Sequence, residues 1–372
     1  MIGTGFMGKV HTEQVRRLGY VEVAAIAGSS LDKAKAAAKE MGIPQAASWE
    51  DICRDPKIDA VHICTPNALH FPQAKLAIEN GKHVLCEKPL TMTAAEAKKL
   101  LDLAEKKKVV HCIQHNLRNY PMVRQAQAMI AAGDIGDVLV VQGTYSQDWL
   151  LYDTDYNWRI EAEHNGVLRA MGDIGSHWMD SIQFLTGLEI GSVCADLTTF
   201  HKTRKKPKGS VETFTGKKLK PSDYSEIPIN TDDFGMVMLT LGPRAKGAFT
   251  VSQVSAGNKN SLRWEVYGTK SGVAWNQERP DELWVGHRNS PNQVLIKDGS
   301  LMKPSAAAFA ELPGGHSEGY DDSHKMNFKL FYGKIANPKM AVNFPTFADG
   351  LRGMRCLEAV LKSHKSRKWV KV

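Results

Sequence analysis

Four short stretches concentrate the residues able to do chemistry: CTPNALH at 64–70, CEKPL at 86–90, QHNLRNYP at 114–121 and GDIGSHWMD at 172–180. Lys88 follows Glu87 and precedes Pro89, which restricts the backbone around it. Its ammonium can hold or polarise a substrate oxygen, although a loop lysine is more often a solvated charge. Asp173 and His177 stand four residues apart, so a helix would turn both side chains to one face. An imidazole placed there can act as a general base while the carboxylate selects its tautomer or holds a hydroxyl. Two other uses fit the pair: capping the helix around a buried histidine, or joining Asp180 as metal ligands. A metal would need further ligands, and the chain offers no histidine-rich partner segment, so none is expected.

The chain opens MIGTGFMGKVH, with Gly3, Gly5 and Gly8 in G-x-G-x-x-G spacing. In a strand-to-helix turn such glycines make the bend, admit a dinucleotide pyrophosphate and let helix and strand pack closely. The helix N-terminus then supplies N–H donors and a positive dipole end. Residues 7–18 read as that helix, with Gly19 beyond its end. Only Met1 and Ile2 precede Gly3, so the first strand is expected to be truncated. After the second strand, where an acid often holds the ribose of NAD, stand Gly28, Ser29 and Ser30, with Lys33 and Lys35 beyond. That pattern leaves NAD and NADP both open.

The elements that must position these groups alternate. Residues 21–27, 58–64, 83–86 and 109–113 read as short apolar strands. Between them lie helical patterns: one capped by Ser30, one over 71–80, and one opened by Thr93 and Glu96 as a capping box. Strand–helix alternation implies right-handed crossovers and a parallel sheet. The expectation is an α/β Rossmann-type dinucleotide-binding domain over residues 1–118. Beyond it the rhythm changes to strands without intervening helices, at DVLVVQGTYSQDW, FGMVMLTL, GAFTVSQV, LRWEVYGTKSGVAW and DELWVG, with a helix over 174–185. This predicts an α+β domain over 119–346, built on a large, mostly antiparallel open sheet. Residues 347–372 form a C-terminal helix and tail. Residues 201–230 read as a long excursion, either a lid or oligomer arm or a disordered surface loop.

Composition excludes several classes. Among 372 residues, 42% are hydrophobic and 24% charged, the balance of an ordinary globular chain. No apolar run reaches membrane-spanning length, and Lys9, His11, Glu13, Arg16 and Arg17 interrupt the N-terminus, so neither a membrane span nor a signal peptide is expected. The net charge of +8 comes largely from local runs such as KTRKKPK at 202–208, read as solvated surface rather than a nucleic-acid face. Six cysteines form no C-x-x-C pair, which suits reduced thiols in the cytoplasm.

Taken in order, the glycine turn, TPN, EKP and GDxxxH resemble the Gfo/Idh/MocA family of NAD(P)-dependent sugar oxidoreductases over nearly the whole chain. GTYSQDW at 143–149 and NWRI at 157–160 are similar to members that oxidise pyranose hydroxyls. The resemblance implies a catalytic Lys88, Asp173 and His177. It implies cofactor contacts from Gly3, Gly5, Phe6, Met7, Gly8, Ser29 and Ser30, from Thr65, Pro66, Asn67 and His70, and from Glu87, Lys88, Asn116, Trp158 and Arg159. Lys88, Arg118, Asp148, Asp173 and His177 are expected to bind a sugar or cyclitol substrate. A homodimer or homotetramer through the C-terminal sheet is also implied. Two alternatives stay open: an NAD-dependent glycosidase that recycles its cofactor, and a non-catalytic sugar- or nucleotide-sensing regulator.

Overall fold

The computed structural model describes residues 1–209 and 220–372. The chain forms two compact units, Met1–Asn119 with Tyr320–Met354, and Tyr120–Gly319 with Arg355–Val372. The sequence division differs at 320–346, which it had placed with the second domain.

In the first unit the strands Ala60–Ile63, His83–Cys86 and His111–Ile113 pair in parallel. Ala25–Ile26 pairs in parallel with Gln45–Ala46, and Ile2 bridges both Ala27 and Ile63. Counting the Met1–Gly3 stretch as first strand, the spatial order is 3-2-1-4-5-6, that of a doubly wound dinucleotide fold with its crevice where the order reverses. Val61, Ile63, Val84, Leu85 and Cys86 are all fully buried, as a parallel sheet covered on both faces requires. Helix Phe6–Arg16 leaves the glycine turn. Helix Leu31–Met41 is capped by Ser30 and closed by Gly42 in the left-handed conformation. Thr93 Oγ1 caps helix Ala94–Lys107 by accepting the Glu96 N–H at 3.2 Å. The Glu96 carboxylate completes the box one residue early, on the Met92 N–H. The expected strand over 21–27 is regular only at Ala25–Ile26.

Helix Tyr320–Ala336 was missed in the sequence. Its buried face mixes Ser323, His324 and Asn327 with Phe328 and Phe331, which blurs the apolar stripe that sequence reading needs. Phe328 and Phe331 enter a core with Val15, Ile26, Leu85 and Cys112.

The second unit carries a nine-stranded sheet in which only Val138–Ser146 and Ala245–Ser252 pair in parallel. LRWEVYGTKSGVAW is two strands, Ser261–Gly268 and Gly272–Asn276, folded back on each other. Helix Ser176–Thr186 lies on the sheet, where Trp178 stacks on Phe249 at 4.3 Å and donates its indole N–H to the Arg263 carbonyl at 3.1 Å. The opposite face exposes Val140, Met236 and Met238. The excursion at 201–230 contains an antiparallel ribbon, Thr203–Pro207 against Tyr224–Pro228, and its residues 210–219 lie outside those described. Arg204, read as solvated charge, is fully buried. Among the described residues no helix is long and apolar enough to cross a membrane, and no group of three His, Cys, Asp or Glu residues could hold a metal ion.

Candidate active site

The glycine turn has the stereochemistry its spacing implies. Gly3 has φ +117°, and a Cβ there would lie 2.6 Å from the Cys64 carbonyl oxygen. A Cβ on Gly8 would lie 2.0 Å from the Gly3 oxygen, so no larger residue lets the helix start so close to the turn. Gly5 is the N-cap of Phe6–Arg16; it supplies no capping side chain, and a Cβ on it would meet nothing within 4 Å. An open helix start with a bare backbone suits a pyrophosphate, so these residues fit a dinucleotide. Phe6 is exposed beside the turn, and Met7 Sδ accepts the Tyr320 hydroxyl at 3.5 Å.

Two loops at the C-terminal ends of parallel strands are joined by one histidine. His70 is fully buried, with Nδ1 2.8 Å from the Pro89 carbonyl and Nε2 2.9 Å from the Thr65 carbonyl. Both partners only accept, so the ring donates to both only when doubly protonated. Thr65 Oγ1 donates to Gln73 Oε1 at 2.7 Å, Pro66 leads into the short Asn67–Leu69 turn, and Asn67 is buried. The Lys88–Pro89 bond is cis. Glu87 is buried and accepts from the Lys88 backbone N–H at 3.2 Å. Burial alone would raise its carboxyl, but the hydrogen bond from His11, with the Lys88 charge, holds it down at about 2.

Other expected residues have structural partners. Ser30 Oγ accepts the Lys33 N–H at 3.3 Å as a helix cap. Asn116 donates to Ser323 Oγ at 2.8 Å, and Arg118 pairs with Asp349 at 2.9 Å, both largely buried. Asp148 accepts from Lys259 Nζ at 2.7 Å and the Gly257 N–H at 3.0 Å, which closes a loop of the second unit. Arg118 and Asp148, expected to bind substrate, thus each carry an ion pair within their own unit.

Asp173 and His177 belong to the second unit, whereas Lys88 belongs to the first. The expected single helix over 174–185 has an irregular start. Met171–Gly175 is a π turn, and the α-helix begins at Ser176. Such turns recur at functional sites because the widened backbone re-aims side chains. Asp173 Oδ2 accepts from Gln253 Nε2 at 2.9 Å, and Oδ1 faces Arg159 Nε at 3.4 Å. Arg159 lies over the Trp158 ring at 4.4 Å. His177 is 7% exposed, its ring 6.3 Å from that of Tyr145.

Behind Asp173 stands a buried network that the sequence did not disclose. Gln253 Oε1 accepts from Arg169 at 3.2 Å, which fixes the amide so that Nε2 points to Asp173. Arg169 and Arg204 both donate to Asp233 Oδ1, and all three side chains are fully buried. Asp233 Oδ2 takes the Phe200 and His201 N–H groups at 2.7 and 3.1 Å. Arg169 could have been noticed four residues before Asp173; Gln253 and Asp233 carry no local signal.

The chain matches two family models: the oxidoreductase family with an NAD-binding Rossmann fold over residues 1–115, and the GFO/IDH/MocA C-terminal domain over 123–274. It is 30% identical to levoglucosan dehydrogenase of Pseudarthrobacter phenanthrenivorans, covering 100% of this chain and 97% of that protein. A solved levoglucosan dehydrogenase, in complex with NADH and L-sorbose, superposes with a TM-score of 0.88 at 29% identity, over 100% of this chain and 98% of that one. An oxidoreductase from Sinorhizobium meliloti gives 0.84 at 34% identity over the same shares. With its glycine turn, doubly wound sheet and second open sheet, the chain belongs to the Gfo/Idh/MocA family and is an NAD(P)-dependent oxidoreductase.

Proposed function

We propose that this protein oxidises a secondary hydroxyl of a sugar, anhydrosugar, glycoside or cyclitol, with His177 as base, Lys88 polarising the reacting oxygen, and Asp173 orienting substrate and base. The observation that carries the reading is the π turn holding Asp173 four residues before His177, with its carboxylate fixed by Gln253 and Arg159. A carboxylate tied down in this way keeps its orientation when a hydroxyl approaches. The nicotinamide, when bound, accepts the hydride. His177 takes the hydroxyl proton, and the Lys88 ammonium lowers the cost of negative charge on oxygen. The similarity to a dehydrogenase solved with NADH and L-sorbose supports a sugar-like substrate.

The glycine turn, the Thr65–Asn67 loop, Glu87, Trp158 and Arg159 are assigned to the cofactor. Ser29 and Ser30 place no carboxylate after the second strand, so either NAD or NADP fits. The apolar outer face of the large sheet, with Val140, Met236 and Met238, is assigned to self-association, and six free cysteines suit a cytoplasmic setting. A panel of sugars and cyclitols with NAD and with NADP, followed at the nicotinamide absorbance, tests the reading. Net accumulation of reduced cofactor with at least one polyol supports it. Glycoside cleavage with no net reduced cofactor overturns it.

A further inference from the structure

Glu87 lies at the end of a chain of hydrogen bonds through the first unit. Its Oε1 is 3.0 Å from His11 Nε2. An ionised carboxylate only accepts, so His11 presents Nε2–H to it. His11 sits fully buried on Phe6–Arg16, the helix that follows the glycine turn. Its other nitrogen, Nδ1, is 3.0 Å from His62 Nδ1 and 3.2 Å from Cys64 Sγ. His62 Nε2 in turn is 3.0 Å from the Tyr332 hydroxyl, and the two rings stack at 5.7 Å. His62 and Tyr332 also line a cavity of about 390 Å³ with Tyr20, Asp59 and His83.

The protonation states follow from burial. Burial pushes His62 well below its usual range, so it is neutral and has a single N–H. Burial raises Tyr332 and Cys64, keeping phenol and thiol protonated. With the single His62 N–H on Nδ1, Tyr332 O–H donates to His62 Nε2, His62 Nδ1–H points to His11 Nδ1, and His11 Nε2–H points to Glu87. Every proton then points toward the carboxylate, and every nitrogen in the chain is satisfied. Packing alone would not demand that polarity.

We propose that His11, backed by His62 and Tyr332, is the positioning residue that keeps Glu87 an oriented carboxylate beside Lys88. The proposal rests on reading the Glu87–Lys88 turn as part of the dehydrogenase site. The groups facing Glu87 are His11 from the first helix, His324 from Tyr320–Ala336, Cys64 and Cys86 from the neighbouring strand ends, and Lys88. Burial first, with Lys88, pushes His324 to about 3, against the pull of Glu87, so it brings no charge at neutral pH. Its Nδ1 is engaged by Gln114. Among the described residues, His11 is thus the side chain hydrogen-bonded to the carboxylate.

Two variants separate positioning from packing. His11→Phe fills the space and deletes the donor, whereas His11→Gln keeps a side-chain N–H that can reach Glu87. In His11→Phe the Glu87 carboxyl loses its largest stabiliser inside a buried site, so its titration moves up, into roughly pH 4–7. Difference infrared spectra of His11→Phe minus His11→Phe/Glu87→Gln, taken across pH, should show a protonated carboxyl band there. In parallel, kcat/KM of His11→Phe should gain an acid limb, falling about tenfold per pH unit below that value. His11→Gln should restore the parent profile, and the double variant should show neither band nor limb. Tyr332→Phe, which keeps the ring and removes one hydroxyl, should move the band the same way by less, and it decides the matter if His11→Phe does not fold. A band and profile unmoved in both His11→Phe and Tyr332→Phe overturn the proposal. The infrared band reports Glu87 whether or not Lys88 is catalytic, so a Lys88→Ala variant with parental turnover would sink only the underlying reading.

Discussion

Replacing Gln253 with leucine tests whether the buried network behind Asp173 serves catalysis. The side chain is fully buried, and its amide is oriented by Arg169 at one end and Asp173 at the other. Leucine is of similar size, so the main loss is the 2.9 Å hydrogen bond to the carboxylate. A bond to a charged group is worth about 1.5–3 kcal/mol, and about 1.4 kcal/mol is tenfold in rate, so kcat/KM should fall about 10- to 150-fold. Arg169 loses an acceptor as well but keeps Asp233, which limits the stability loss to about 1–3 kcal/mol. The assay is steady-state oxidation of the best polyol at saturating cofactor, beside thermal melts of the same samples. A double-mutant cycle with Asp173→Asn isolates the coupling, since removing Gln253 should cost little once the carboxylate is gone. A Gln253→Leu enzyme with a lower melting temperature and unchanged kcat/KM refutes the reasoning, as do strictly additive effects in the cycle.

Three further outcomes are expected. Lys88→Ala should lower turnover by about 10²–10⁴, far more than it lowers the NAD(P)H affinity read by nicotinamide fluorescence. Oxidation by the parent enzyme should rise with pH as His177 loses its proton, and His177→Asn should abolish that limb; a lower melting temperature with the limb intact would make His177 a packing residue. Asp233→Ala leaves Arg169 and Arg204 buried without their shared carboxylate and should cost about 3–5 kcal/mol at neutral pH by denaturant unfolding. Burial raises the Asp233 carboxyl, but the two arginines hold it below its ordinary value. Its contribution is therefore full above the unfolded pKa of about 3.9 and lost as pH falls through the lower folded value, so parent and variant should converge in strong acid.

What could be read from the sequence was whatever announces itself locally. Gly3, Gly5 and Gly8 declare a turn because their spacing is set by one strand, one bend and one helix, all contiguous. The His83–Cys86 strand and the helix from Phe347 to Ser366 stand where their patterns put them, since each element is regular and amphipathic or wholly apolar. Helix Tyr320–Ala336 escaped notice because its inner face must serve polar partners, Gln114 and Asn116, as well as an apolar core. Arg204 was misread for a related reason: in a run of lysines nothing marks the one cation that is drawn inside by Asp233, 29 residues away.

The same distinction runs through the site. Lys88, Asp173 and His177 sit in short motifs, so their types and spacing suggest roles. The residues that aim them do not. Asp173 is held by Gln253, 80 residues along the chain, and Glu87 by His11, 76 residues before it. A reactive group can be recognised by what it is, but a supporting group only by where it points, and direction is a property of the fold. Arg118 and Asp148 have types suited to substrate binding, and the fold adds what the sequence could not show, their ionic partners Asp349 and Lys259. Asp173 is held by a neutral amide on one oxygen and faces Arg159 at 3.4 Å with the other. A carboxylate oriented from two directions in this way keeps its aim when a hydroxyl approaches.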